Sequence, residues 1–432
     1  MEPLTHVFRG LLGITVFIGI AYACSTSRRS IDWRLVLGGL ALQLVIAALV
    51  LHVDAVRWVV DEVGSWFVRL LDYNKAGAEF LFGGLVNDPK SFGFIFAFNV
   101  LPTIVFFSAL TSLLFYLGIL QKVVHAFAWV LSRTMKLSGA ESLSASGNIF
   151  LGQTESPLLI RPYLNTMTRS ELLAVMVGGM ATIAGGVMMA YIALLGGDDP
   201  AQKLLFTKHL LTASVMSAPA ALIIAKILLP QTEDVSRELP VSRERMGANA
   251  LEAIANGTTD GVKLAVNVGA MLLVFTAVIA LLNGILSGGL GGWTGLNEWI
   301  AHSTDGRYTS LSFQYIFGLL FAPLAWLMGI DARYMTVAGQ LIGEKTILNE
   351  FYAYNTLALV KSNGLLPNVR DQVIITYALC GFANVASIGI QVGGIGALAP
   401  EKRGELARLG WRALLGGSLA CFMTASIASL FS

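Results

Sequence analysis

Charge is what this sequence has least of. Only 13% of its 432 residues are charged, against about 25% in soluble domains, while 55% are hydrophobic and the mean hydropathy is +0.69. This excludes an ordinary soluble domain, because most of the chain must face lipid or a protein interior inside lipid. A formal net charge of only +2 gives no global field for nucleic acid. The three cysteines, Cys24, Cys380 and Cys421, lie in or beside apolar stretches without CxxC or Cys/His metal spacing and read as buried small hydrophobes. The five histidines, His6, His52, His125, His209 and His302, are scattered, and neither HExxH nor GxSxG occurs. Alternating ten-residue strands of the outer-membrane type are also missing, so helices must satisfy the backbone in the bilayer. The fold class is an all-α polytopic membrane protein.

What is present is a series of long apolar runs. Leu35–Leu51, Phe92–Leu120, Leu204–Leu229 and Leu264–Leu286 approach or exceed the roughly 20 residues that cross a bilayer as a helix. The N-terminal run from Gly10 to Ala23 has features of a leader, but Ser27-Arg28-Arg29 and another apolar run follow at once, which favours a first membrane helix. With the N-terminus outside, the positive-inside rule places Arg28, Arg29, Arg34, Lys122, Arg133, Lys136, Arg161, Arg169, Arg237, Arg243, Arg245, Lys402, Arg403, Arg408 and Arg412 in the cytoplasm. The external segments Gly196–Pro200 and Gly288–Asp305 contain no Lys or Arg, whereas His52–Lys90, expected as a long external loop, carries four.

Two apolar stretches must not cross. Glu141–Leu164 is broken by Gly147-Asn148 and Gly152-Gln153-Thr154-Glu155-Ser156-Pro157, and reads as a hairpin entered from the cytoplasm. Leu311–Leu359 carries Pro323, Gly329, Asp331, Gly339 and Gly343-Glu344-Lys345-Thr346-Ile347-Leu348-Asn349-Glu350, and reads as a hairpin entered from outside. Such breaks are tolerated where the freed backbone lines a buried cavity. Two long helical stretches follow each hairpin, 172–195 and 204–229, then 372–396 and 408–430. The first of each pair is polar or Gly-rich at mid-depth, and interrupted segments at matching places in inverted halves point to a transporter's midplane site. The organisation expected is a scaffold of 1–120 with 262–302, a first transport half of 121–230, a cytoplasmic connection of 231–261 and a second transport half of 311–432. Leu120–Met135 and Gly292–His302 read as short interfacial helices.

Glu155 and Glu350 sit in the interrupted hairpin centres, where an unpaired carboxylate costs roughly 2.5–3.5 kcal/mol. The cost has to be offset, either by ligand or by capping a half-helix or pairing with Lys345. Asn384 and Ser387, three apart, share a helical face near Phe382 and offer amide, hydroxyl and aromatic groups together. The Gly394-Ile395-Gly396-Ala397-Leu398-Ala399 run has no preceding strand and is no dinucleotide fingerprint.

The stretch Gly152 to Tyr163, the Asn349-Glu350-Phe351 triplet, and Gly381-Phe382-Ala383-Asn384 running into Ser387-Ile388-Gly389-Ile390 together resemble the concentrative nucleoside transporters. The resemblance covers about residues 90–430, the two N-terminal spans matching only in position and hydropathy. It implies a homotrimer, each protomer having eight transmembrane helices and two re-entrant hairpins in an inverted repeat, and the positive-inside placement puts both termini on the periplasmic side of a bacterial inner membrane. It further implies that Gln153, Thr154 and Glu155 read the nucleobase, the last through water, with Val187 lining the base pocket. By the same resemblance, Glu350, Asn384 and Ser387 would hold the ribose, and Asn148, Leu151, Thr182 and Ile183 would supply oxygens to a sodium ion, the coupling ion. The chemistry agrees, since vicinal hydroxyls suit a carboxylate with an amide, and a flat base edge suits Gln and Thr beside an aromatic such as Phe382. Proton coupling is the alternative, and a membrane-embedded hydrolase using Glu155 and Glu350 is the reading from another class.

Overall fold

A computed structural model describes residues 2–93, 95–197, 199–236 and 247–431. The expected cytoplasmic residues Arg237, Arg243 and Arg245 lie outside the described residues. The first third contains α1 (Glu2–Ala23), α2 (Trp33–His52), α3 (Asp54–Phe82), α4 (Leu101–Tyr116) and α5 (Ile119–Met135). The first hairpin is α6 (Gly139–Gly147) and a 3-10 helix (Ser156–Tyr163), followed by α7 (Arg169–Ala181), α8 (Gly185–Gly196) and α9 (Pro200–Leu228). Then come α10 (Ala250–Ile285), α11 (Leu296–Ser303), α12 (Phe313–Leu327), α13 (Met335–Ile347), α14 (Glu350–Ser362), α15 (Val369–Leu379), α16 (Val385–Leu398) and α17 (Arg403–Phe431). Among the described residues no strand forms, and six helical segments are long and apolar enough to cross a membrane.

Helix starts follow local chemistry. Ser138 with Glu141 opens α6 and Thr168 with Glu171 opens α7 as reciprocal capping boxes. Asp199 caps α9 ahead of Pro200, and Asn249 caps α10. The return limb of the first hairpin is a 3-10 helix with Pro157 and Pro162 in it, because proline lacks the amide that an α-helical ladder needs.

Three expectations need correction. Cys24, just past the end of α1, is exposed, unlike the buried Cys380 and Cys421. The supposed loop His52–Lys90 is largely α3, 29 residues long. Its buried residues Gly64, Leu71, Asn74 and Ala78 share one helical face, and Asp61 bonds Lys208 of α9 at 2.5 Å. The frequent charges hid this amphipathic helix from a search for apolar runs. The segment Leu311–Leu359 also holds one helix more than a hairpin. The hairpin proper is α13 and α14, while α12 packs along α13 so closely that a Cβ on Gly339 would meet the Gly318 carbonyl at 2.5 Å.

The two hairpins are rooted at opposite ends of the bundle. At one end Arg9 of α1 donates to the Trp326 carbonyl (2.9 Å), and Arg370 donates to the carbonyls of Gly329 (2.9 Å) and Ser429 (3.1 Å). The start of the chain, the end of α17 and the root of the second hairpin therefore lie together. At the other end the Thr26 amide donates to Leu228 (3.1 Å), Lys402 donates to Met167 (2.9 Å), and Arg169 pairs with Glu405 (3.2 Å). There too the Lys226 ammonium pairs with Glu141 and donates to Ser170 (2.9 Å), and both charged side chains are buried. That pair ties the root of the first hairpin to α9. By contrast α10 is peripheral, with few of its residues buried, whereas α17 is buried along most of its length.

Candidate functional site

Both hairpins end where a helix breaks. In the first repeat α7 stops at Ala181, Thr182 to Ala184 are non-helical, and α8 restarts at Gly185. In the second, α15 stops at Leu379 and α16 restarts at Val385. The breaks touch each other, since the Phe382 amide donates to the Thr182 carbonyl at 3.4 Å. Glycine is required at 381, where φ is +139° and a Cβ would meet the Met180 carbonyl at 2.7 Å.

Around this crossing the polar residues form a connected string. Asn349 caps α14 by accepting from the Tyr352 amide (2.9 Å), which frees Glu350 at the first helical position from a capping role. Asn384 caps α16 by accepting from the Ser387 amide (2.9 Å), and its side-chain amide donates to Glu350 Oε2 (2.7 Å). Gln153 reaches across from the first hairpin to donate to Ser387 Oγ (3.2 Å). Gln153, Glu350, Asn384, Ser387 and Phe382 are all buried. Thr154 packs against α16, where a Cβ on Gly394 would meet its Cγ2 at 2.8 Å. That glycine-rich run thus serves close approach.

Glu155 faces the other way. With Leu151, Val187, Ser108 and Asp260 it lines a cavity of ≈ 100 Å³ between the hairpin tip, α4, α8 and α10, and its Oε2 has no partner. The groups expected around an ion meet at the same tip. Asn148 ends α6 with both side-chain amide atoms buried and unpartnered, and it does not cap the returning limb. It lies beside α7, a Cβ on Gly178 meeting its Nδ2 at 3.1 Å, and the Gly185 amide donates to the Phe150 carbonyl (2.9 Å). Thr182 turns its hydroxyl to the Gly178 carbonyl (2.8 Å). Asn148, Leu151, Thr182 and Ile183 are all buried. A buried, unpartnered amide beside an interrupted helix is chemistry that suits a monovalent cation.

Residue-type reasoning missed two members. Gln391 is buried, donates to the Met176 carbonyl (3.0 Å) and leaves Oε1 unpartnered. It follows Asn384 and Ser387 at helical spacing, a signal that extending the face by one turn would have caught. Tyr191, one turn after Val187, stacks on Tyr354 at 4.0 Å between ring centroids and meets Phe351 edge-on. Nothing in its apolar surroundings marks it in sequence.

Interrupted helices and opposed hairpin tips that meet at the middle of an apolar helical bundle define a membrane transporter, not an enzyme. Models of the Na+ dependent nucleoside transporter N-terminus and C-terminus match residues 12–85 and 209–429, and a nucleoside recognition model matches 97–198. An uncharacterised transporter of Haemophilus influenzae is 45% identical over 98% of both chains. Nucleoside permease NupC of Helicobacter pylori is 40% identical over 98% of this chain and 97% of its own. Human solute carrier family 28 member 3 is 39% identical over 97% of this chain, which spans 59% of that longer protein. The solved structure of CNTnw in an inward-facing substrate-bound state superposes with a TM-score of 0.88 at 41% identity, over 99% of this chain and 98% of that one. An outward-facing structure of a CNTnw variant gives 0.87 at 40%, over 98% and 97%. The chain belongs to the concentrative nucleoside transporter family.

Proposed function

We propose that this protein is a sodium-coupled symporter that carries nucleosides such as uridine into the cell by alternating access. The observation that carries the reading is the buried string Gln153, Ser387, Asn384, Glu350, which joins both hairpin tips to the break before α16 beside the orphaned Asn148 amide. Glu350 and Asn384 with Ser387 hold the ribose, Gln153 and Thr154 read the base with Val187 and Phe382 lining the pocket, and Glu155, turned into the adjoining cavity that Val187 also lines, reaches the base only through water filling that cavity. Sodium sits among Asn148, Leu151, Thr182 and Ile183. Accumulation of labelled uridine in proteoliposomes against its gradient tests the function. An imposed sodium gradient should drive it and a proton gradient should not; uptake driven by protons alone would overturn the ion assignment.

The six long apolar segments, with α1 and the broken pair α15 and α16, make eight crossings, and the two hairpins re-enter from opposite faces. Arg28, Arg29, Arg34 and Lys136 lie at the end that roots the first hairpin, which supports a cytoplasmic face there and periplasmic termini in a bacterial inner membrane. The exposed apolar face of α10, with Leu273, Val274, Leu281 and Ile285, supports a scaffold seam of a homotrimer against lipid.

Two consequences are measurable. Substituting Gln153 or Thr154 should alter the ratios of affinity among uridine, cytidine and adenosine, because a base edge differs among nucleosides and the ribose does not. Uniform loss across the three would remove both residues from base recognition. For coupling, an ion and a substrate that order the same hairpin tip must raise each other's affinity by the same factor. Asn148→Ala is expected to flatten the dependence of uridine affinity on sodium more than it lowers affinity at saturating sodium, read by calorimetric titration across a sodium series. An unchanged dependence would take Asn148 out of the ion site.

A further inference from the structure

The second repeat holds a buried cation of its own. Lys345 lies in the last turn of α13 and is fully buried. Its ammonium donates to the Ala378 carbonyl in the last turn of α15 at 3.4 Å and stands 5.9 Å from the centre of the Phe422 ring. Glu350 follows five positions on at the start of α14, and Asn384 holds its carboxylate at the break that α15 ends in. An ionised side chain at such a place is costly and is kept for a reason.

The first repeat shows the matching arrangement without the charge. There the outgoing limb α6 ends at Asn148, which abuts Gly178 in the last turn of α7, and the amide is orphaned. In both repeats, then, the outgoing limb brings one polar side chain to the last turn of the next, interrupted helix, and in the second repeat that side chain bonds a last-turn carbonyl. Helix C-termini concentrate partial negative charge and favour a cation. One repeat presents a neutral amide with oxygen to spare, and the other presents an ammonium.

We propose that the Lys345 ammonium is the tethered counterpart, in the second repeat, of the free coupling cation in the first. It stands at the carbonyl end of α15, offsets that end and Glu350 together, and holds the Glu350 carboxylate ready for the nucleoside throughout the cycle. Only the first repeat then loads and releases an ion. Lys345 is a positioning residue that acts through Glu350. The proposal rests on the assignments of Glu350 to the nucleoside and Asn148 to the ion.

The test compares two variants in detergent at saturating sodium, with uridine affinity read by calorimetry. Lys345→Met keeps the length of the stem and removes the charge; it should lose about 10-fold or more in affinity, as for bonds to charged groups. Lys345→Ala leaves room for a small cation, and its affinity should recover several-fold in methylammonium chloride but not in tetramethylammonium chloride at equal ionic strength. Parental affinity in Lys345→Met, or a Lys345→Ala loss that methylammonium fails to relieve or that both salts relieve equally, would overturn the proposal. Asn148→Ala in the same assay keeps the two readings apart. A flattened sodium dependence there with no methylammonium response leaves the ion site standing even if the lysine proposal fails.

Discussion

Glu350→Gln is expected to weaken uridine binding about 10- to 100-fold, because hydrogen bonds to a charged acceptor contribute roughly 1.5–3 kcal/mol. The carboxylate is buried, one oxygen is engaged by Asn384 at 2.7 Å, and Asn349 has taken over the capping of α14. The carboxylate is therefore available to ribose hydroxyls in a place with little competing water. A glutamine retains size and one acceptor oxygen, so the fold should persist. A 2′-deoxy nucleoside presents fewer hydroxyls and should lose less than uridine on the same substitution. Calorimetry with both ligands decides it, since equal losses would make Glu350 structural.

The second large effect concerns stability. Lys226 and Glu141 form a buried pair at the root of the first hairpin, further held by Ser170. Removing one partner of such a pair leaves a charge without water or counterion and typically costs about 3–5 kcal/mol. Lys226→Met should lower the thermal unfolding temperature in detergent markedly. Lys226→Met combined with Glu141→Gln should recover much of it, because the neutral amide can still accept from the Ser138 amide as Glu141 does at 3.2 Å. A double variant no more stable than the single one would mean that packing of the lysine stem, rather than charge, holds the root.

The hairpin tied at its root and orphaned at its tip suits alternating access. The tip residues from Asn148 to Glu155 carry the unpartnered amide and the contact to the second repeat, while α6 behind them is buried along its whole length. On the assignment proposed above, ion and nucleoside would act on a short segment carried by a firmly packed limb, and a ligand shifts such an equilibrium only by its differential affinity for the two states.

Membrane residence, helical class, the interrupted hairpins and the polar residues at their tips were legible in the sequence. These depend on local properties: run length, glycine and proline breaks, and costly carboxylates in apolar surroundings. Asn384 and Ser387 were legible as a pair because helical spacing puts them on one face. Other features came only with the tertiary structure. The helix α3 escaped because charges interrupt its apolar face, and the boundary between α12 and the true second hairpin escaped because three consecutive apolar helices look alike to a hydropathy reading. Tyr191 and the Lys226–Glu141 pair depend on partners from 85 to 163 positions away. Composition and spacing thus determined what the chain is made of and where it breaks. Which carboxylate meets an amide, which lysine meets a helix end and which amide is left unpaired were decided by packing, because only the crossing of the two repeats brings those groups within hydrogen-bonding reach and takes the water away.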